Sequence, residues 1–174
     1  AMLMNAAEYR ESLRSLQPRV FVAGKLVECV ADDAQLRPGI NAIGVTYDYA
    51  LDPQYAKLAL APREQDAVPV NRFLTLNRSS DDLLAKLEYT RLVCQETGCA
   101  MRYLTMDGLN ATFQLTHRLD QDKACEYHPR LLAYLHDVQA RDLTVGIAMT
   151  DAKGDRSLRP SEQTVPDAYL HVVE

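Results

Sequence analysis

Leu143-Thr-Val-Gly-Ile-Ala-Met-Thr-Asp-Ala-Lys-Gly-Asp-Arg-Ser157 is the stretch on which the reading of this chain turns. The apolar, partly β-branched run Thr144 to Met149 breaks into a polar, Gly-containing loop, Thr150 to Ser157. That is the pattern of a buried strand delivering a turn to a ligand. Thr150 can donate through its hydroxyl, and Gly154 lets backbone come close to a partner. Asp155 and Arg156 can fix the loop or meet charge. Such a loop suits a flat heteroaromatic ring with hydrogen-bonding edges, as in a flavin. The plainer alternative is a strand that closes in an ordinary Asp/Gly turn.

Working outward, the chain has 174 residues, enough for one domain, and 47% of them are apolar, enough for a core. A net charge of -5 argues against a general nucleic-acid binder. No apolar run approaches the roughly 18 residues that span a bilayer, and Met2-Leu-Met lacks the basic start and long apolar stretch of a secretory signal. Ala1 ahead of Met2 reads as a cloning remnant. Cys29, Cys94, Cys99 and Cys125 form no disulfide or zinc framework, so reduced thiols and a cytoplasmic location are expected.

Asn5 caps a first helix with Tyr9, Leu13 and Leu16 at helical spacing, ended by Pro18. Arg19 to Glu28 reads as a hairpin about a Gly-Lys turn. Leu36 to Ala50 is a helix opened by Pro38 and closed before Asp52-Pro53. Ala61 to Asn77, with breakers Pro62 and Pro69, reads as a connecting loop. Ser79-Ser-Asp-Asp82 caps a helix over Leu83 to Thr97, with Leu83, Leu84, Leu87, Leu92 and Val93 expected on its buried face. Gly98 interrupts, and Cys99 starts a long helix reaching about Lys123. Pro129 opens the last helix, Arg130 to Ala140, with Leu131, Leu132, Leu135 and Val138 on one side. Ala168 to Glu174 reads as a second strand with nothing after it to pair. An unpaired edge of that kind invites aggregation, so a piece of a longer polypeptide is expected.

Several of these stretches carry a family resemblance. Ala148-Met-Thr-Asp-Ala-Lys-Gly-Asp-Arg-Ser157 is similar to the flavin-contacting loop of the 4-hydroxyphenylacetate 3-hydroxylase family, which includes 4-hydroxybutyryl-CoA dehydratase. It also resembles the Met-Thr-Glu-Pro loop of the structurally related acyl-CoA dehydrogenases. The opening order, a Tyr-x-x-Ser-Leu helix then a Val-x-x-x-Gly-x-x-Val hairpin, resembles the same family. The Arg37-Pro-Gly-Ile-Asn-Ala segment and Met106-Asp-Gly-Leu-Asn-Ala look nearer the dehydratase/vinylacetyl-CoA isomerase branch.

The resemblance implies a mainly α fold: the N-terminal helical domain of an acyl-CoA-dehydrogenase-like flavoenzyme. Residues 1–142 would form it, with a hairpin at about 19–30, and 143–174 would start a truncated flavin-binding β-domain. It implies FAD, held at Met149, Thr150, Asp151, Gly154, Asp155 and Arg156. It implies a phenolic or acyl-CoA substrate and either monooxygenase or dehydratase/isomerase chemistry. The remaining partners implied are the rest of the chain, a homo-oligomer and, for a hydroxylase, a flavin reductase.

Three positions bear on which branch. Cys99 matches the first thiolate of a Cys-x-x-x-Cys pair that holds a [4Fe-4S] cluster in the dehydratases, but the second position is Tyr103. Phenolate is a poor ligand for such a centre, and a lone Cys is commonly a small buried apolar residue. Arg102 matches a substrate-facing Arg. Its guanidinium can bind a phenolate, carboxylate or thioester carbonyl, or else pair with Asp107 within the helix. Tyr103 can donate to a substrate oxygen or simply pack. A substrate-contacting His of the hydroxylase branch is Ile147 here. Cys125 with His128, and His117 and His136 on helices, read as structural or surface residues. Losses at both branch-defining positions also admit a non-catalytic helical module, kept for assembly or acyl-ligand binding.

Overall fold

The structure is a computed structural model that describes residues 3–99, 101–147, 155, 157–159 and 162. The expected strand at 168–174 lies outside the described residues.

Helix α1, Ala6–Leu16, starts on a reciprocal cap: Asn5 Oδ1 accepts the Glu8 N–H at 2.9 Å, and the Glu8 carboxylate accepts the Asn5 N–H at 2.8 Å. It turns Tyr9 inward, while Leu16 is exposed rather than on the buried face. Strands β1 (Phe21–Val22) and β2 (Lys25–Leu26) form the expected hairpin, but the turn is Ala23-Gly24, one residue earlier than Gly-Lys. Both turn residues have positive φ, 49° and 76°, as a two-residue turn matching the strand twist requires. Helix α2, Arg37–Leu51, has Pro38 in its first turn and buries Thr46, Tyr47 and Ala50.

The span expected as a loop holds a second hairpin. After the short helix α3 (Ala56–Ala59), β3 (Leu60–Pro62) pairs antiparallel with β4 (Pro69–Asn71). The two prolines face each other at its loop end, beside the 63–68 connection, where a strand can spare the N–H bond. A 3₁₀ turn, Arg72–Leu74, follows, and Arg72 donates to the carbonyls of Leu58 and Leu60 that close α3.

Helix α4, Ser80–Thr97, opens on a Ser79–Asp82 capping box and ends at Gly98 with φ 70°. Its buried face is Lys86, Tyr89 and Val93. Leu92 packs at the edge of the core, but Leu83, Leu84 and Leu87 are 41%, 61% and 54% exposed. These three leucines sit to one side of the inward stripe set by the i, i+3, i+7 spacing. A 3₁₀ turn, Met101–Tyr103, leads into α5 (Leu104–Lys123), which packs against α6 (Tyr127–Ala140). On α6, Leu135 and Val138 are buried as expected.

One core cluster joins Ala50, Ala59, Phe73, Tyr89 and Val93, with Phe73 and Tyr89 stacked at 4.5 Å. A second joins Met4, Tyr9 and Tyr47. Thr144–Ile147, the described part of the expected strand, form no ladder among the described residues. Their neighbours' side chains take up the carbonyls instead. No helix of the described residues is long and apolar enough to cross a membrane.

Lys86 is fully buried, its Nζ donating to the Thr75 carbonyl (2.5 Å) and to Asn77 Oδ1 (2.6 Å). Burial pushes this ammonium down from 10.5 to about 8. The unfolded chain therefore binds more protons between those values, and stability should rise with pH across that window. Burial pushes the Tyr47 hydroxyl up to about 12 and Tyr89 up as well, so above about pH 10 these phenols ionise first in the unfolded chain and reverse the trend. Urea unfolding should show stability climbing from about pH 8 to 10, and Lys86→Met should flatten the climb. A flat wild-type profile would refute the assignment.

Candidate functional site

Arg102 lies in the 3₁₀ turn before α5 and is 1% exposed. Its Nη2 meets Asp142 Oδ1 at 2.8 Å and also donates to the Leu143 carbonyl at 3.2 Å. Its Nη1 donates to Thr46 Oγ1 at 3.2 Å. The partner is thus Asp142, not Asp107. The guanidinium stands 4.0 Å over the Tyr47 ring, which stacks on Tyr9 at 4.7 Å, giving a cation on two aromatic layers.

Asp142 follows the end of α6 with φ 49°, a left-handed conformation that Asp tolerates better than most residues. This turns the chain back over α2 and α5. Its other carboxylate oxygen accepts the Met4 N–H at 3.2 Å. Burial pushes its carboxyl up, opposed by Arg102. The Tyr47 hydroxyl donates to the Asp142 carbonyl at 2.9 Å and lies 2.8 Å from Thr144 Oγ1. Thr105 Oγ1 donates to the Val145 carbonyl at 2.8 Å. Residues 142–147 are thus held by side chains from α2, the 3₁₀ turn and α5.

Ile147 completes the seat. A Cβ on Gly108 would stand 2.1 Å from Ile147 Cδ1 and 3.3 Å from its Cγ1, so the bare glycine of α5 leaves the space this side chain fills.

Tyr103 is half-buried and packs against the Ala50–Phe73–Tyr89 core. Cys99 is half-buried, its N–H donating to Thr97 Oγ1 at 3.3 Å. Among the described residues no group of three or more His, Cys, Asp or Glu stands together as a metal site. His128 Nδ1 lies 3.1 Å from Thr116 Oγ1 and its ring touches exposed His117, while Cys125 Sγ faces the Lys123 carbonyl. His136 is exposed.

Of the residues expected at the flavin, Asp155 is described. Its Oδ1 accepts the Ser157 N–H at 2.9 Å and hydroxyl at 2.6 Å, which holds its carboxyl below the usual range. Met149, Thr150, Asp151, Gly154 and Arg156 lie outside the described residues. Sequence reasoning missed Asp142, Tyr47, Thr105 and Gly108. The only local signal was a carboxylate placed between a helix end and an apolar run.

Residues 5–174 match the family described as 4-hydroxyphenylacetate 3-hydroxylase N terminal, and the chain belongs to that family. It is 44% identical over 174 residues to 4-hydroxybutyryl-CoA dehydratase/vinylacetyl-CoA-Delta-isomerase of Clostridium aminobutyricum, covering 99% of this chain and 36% of that protein. The fold matches an oxygen-tolerant archaeal 4-hydroxybutyryl-CoA dehydratase from N. maritimus with TM-score 0.84 and 39% identity, over 95% of this chain and 33% of that one. The oxygenase component of 4-hydroxyphenylacetate 3-monooxygenase, solved with FAD and 4-hydroxyphenylacetate, shares the fold at TM-score 0.68 and 19% identity, over 98% of this chain and 35% of that one. The chain thus spans about a third of the length of these relatives.

Removing one partner of a buried ion pair leaves an uncompensated charge. Asp142→Ala should therefore lower unfolding stability by about 3–5 kcal/mol. The double change Arg102→Met with Asp142→Leu should cost less than the sum of the single changes, read as a coupling in urea melts. Additive losses would show that the two side chains do not interact.

Proposed function

We propose that this chain is the N-terminal part of an FAD-dependent enzyme that acts on an acyl-CoA in the dehydratase/isomerase manner. The observation that carries the reading is the 44% identity along almost the whole chain to the Clostridium protein. The apolar seat of Ile147 on Gly108 supports the same branch. It puts hydrocarbon where the phenol-hydroxylating branch has a His to orient or deprotonate substrate.

FAD is supported by the solved FAD complex that shares this fold. Met149, Thr150, Asp151, Gly154, Asp155 and Arg156 would line it. The described part fits, since Asp155 closes a turn on Ser157. When bound, FAD supplies the redox and hydrogen-shift chemistry. The chain's own contribution is placement. Arg102 serves as a positioning residue: through Asp142 and the Leu143 carbonyl it fixes the backbone that runs into the loop. Tyr103, against the core, supports that turn.

The residues present do not fit a two-thiolate contribution to an iron–sulfur cluster. Cys99 offers one sulfur, and the side chain one helical turn later is packed inward. No step is assigned to such a cluster. A second reading, a non-catalytic module for assembly or acyl-ligand binding, draws on this loss together with that at Ile147.

The test is to purify the longer protein that carries this segment. Bound flavin should be visible in its absorbance, with turnover of vinylacetyl-CoA or 4-hydroxybutyryl-CoA and none of 4-hydroxyphenylacetate supplied with reduced FAD and oxygen. Hydroxylation of the phenol would overturn the branch. A colourless, inactive protein would favour the non-catalytic module.

A further inference from the structure

Helix α5 carries a glycine in its second turn, Gly108, where alanine would favour the helix. The backbone there is helical, so no special dihedral asks for glycine. What the position asks for is space. A Cβ at Gly39 of α2 would meet nothing within 4 Å, and one at Gly44 would stand 3.0 Å from Ala6 Cβ. At Gly108 it would stand 2.1 Å from Ile147 Cδ1, far inside the roughly 3.5–4.0 Å of ordinary carbon contact.

Ile147 has limited room to give way. It is β-branched and stiff at χ1, so turning Cδ1 about χ2 would still leave its Cγ1 at 3.3 Å from the added carbon. Upstream the backbone is fastened. Arg102 holds the Leu143 carbonyl, Thr144 Oγ1 lies 2.8 Å from the Tyr47 hydroxyl, and Thr105 Oγ1 donates to the Val145 carbonyl. Thr105 and Gly108 are one turn apart on one face of α5, and they meet alternate residues of the same segment. A push on Ile147 is therefore passed down the chain, into the residues that follow it.

We propose that Gly108 is a positioning residue for the loop that begins after Ile147, and that the fit of side chain 108 to side chain 147 sets where this loop enters the flavin site. The proposal rests on the reading of Met149 to Arg156 as flavin-lining. Met149 is two residues beyond Ile147, no more than about 7 Å of chain. So short a tether has little slack to absorb a shift of about an ångström, and a misplacement of that size is enough to spoil a site.

The test uses the longer protein that carries this segment, with Gly108→Ala, Ile147→Val and the two together. The first change adds one carbon and the second removes Cδ1, so the double variant restores the volume of the pair. Gly108→Ala should weaken flavin binding by about tenfold and shift the flavin absorbance maximum. Ile147→Val alone opens the seat without a clash and should weaken binding by a smaller factor, a readout that survives if Gly108→Ala does not fold. The double variant should regain the wild-type affinity and spectrum, a coupling that a merely destabilising change would not produce. Unchanged flavin affinity and spectrum in the single variants that fold would overturn the proposal, and so would a loss that the double variant does not recover. A wild-type protein without flavin would overturn the flavin reading as well, whereas a flavin-bound wild type with indifferent variants sinks this proposal alone.

Discussion

The buried ion pair of Arg102 with Asp142 is the contact on which the rest of this domain leans. Both side chains are out of water, 0% and 1% exposed. Such a pair gains little net stability over an apolar substitute, because desolvation offsets most of the attraction. What it supplies is geometry. The carboxylate gathers the guanidinium and the Met4 N–H, while the guanidinium lies on the Tyr47 ring and reaches Thr46. One interaction thus joins the start of the chain, α2, the turn before α5 and the exit from α6.

The exit from α6 shows how the fold handles a run that reads as a strand. Thr144 to Ile147 have β-branched, apolar character, yet the carbonyls around them are taken by Arg102, Tyr47 and Thr105. A backbone satisfied by side chains is tied to fixed points, whereas a ladder permits slippage by register. The absence of a Cβ at Gly108 and the bulk of Ile147 then fix where the segment lies on α5.

Much of the helical framework was legible because its signals are local. Asn5 with Glu8, Pro38, Ser79 with Asp82 and Gly98 are caps whose chemistry acts within a turn. The family was legible for a similar reason, since the 148–157 loop and the Met106-Asp-Gly-Leu-Asn-Ala run are contiguous in sequence. The misses came from elsewhere. Pro62 and Pro69 read as breakers, but a hairpin tolerates proline where its ladder meets the loop, and there they face one another. On α4 the leucines outvoted Lys86, whose inward course depends on two carbonyl-type oxygens supplied by the segment before the helix. The partner of Arg102 was sought one turn away and stands forty residues on.

The hydrogen bond from Met4 to Asp142 links residues 138 apart. During synthesis the first helix therefore cannot settle onto its final anchor until nearly the whole segment has left the ribosome. At translation rates of about 5–20 residues per second, that delay is on the order of ten seconds. Throughout it, Tyr9 and Tyr47 have no guanidinium–carboxylate clasp to hold them, and the nascent chain lacks the contact that covers this aromatic pair in the finished fold.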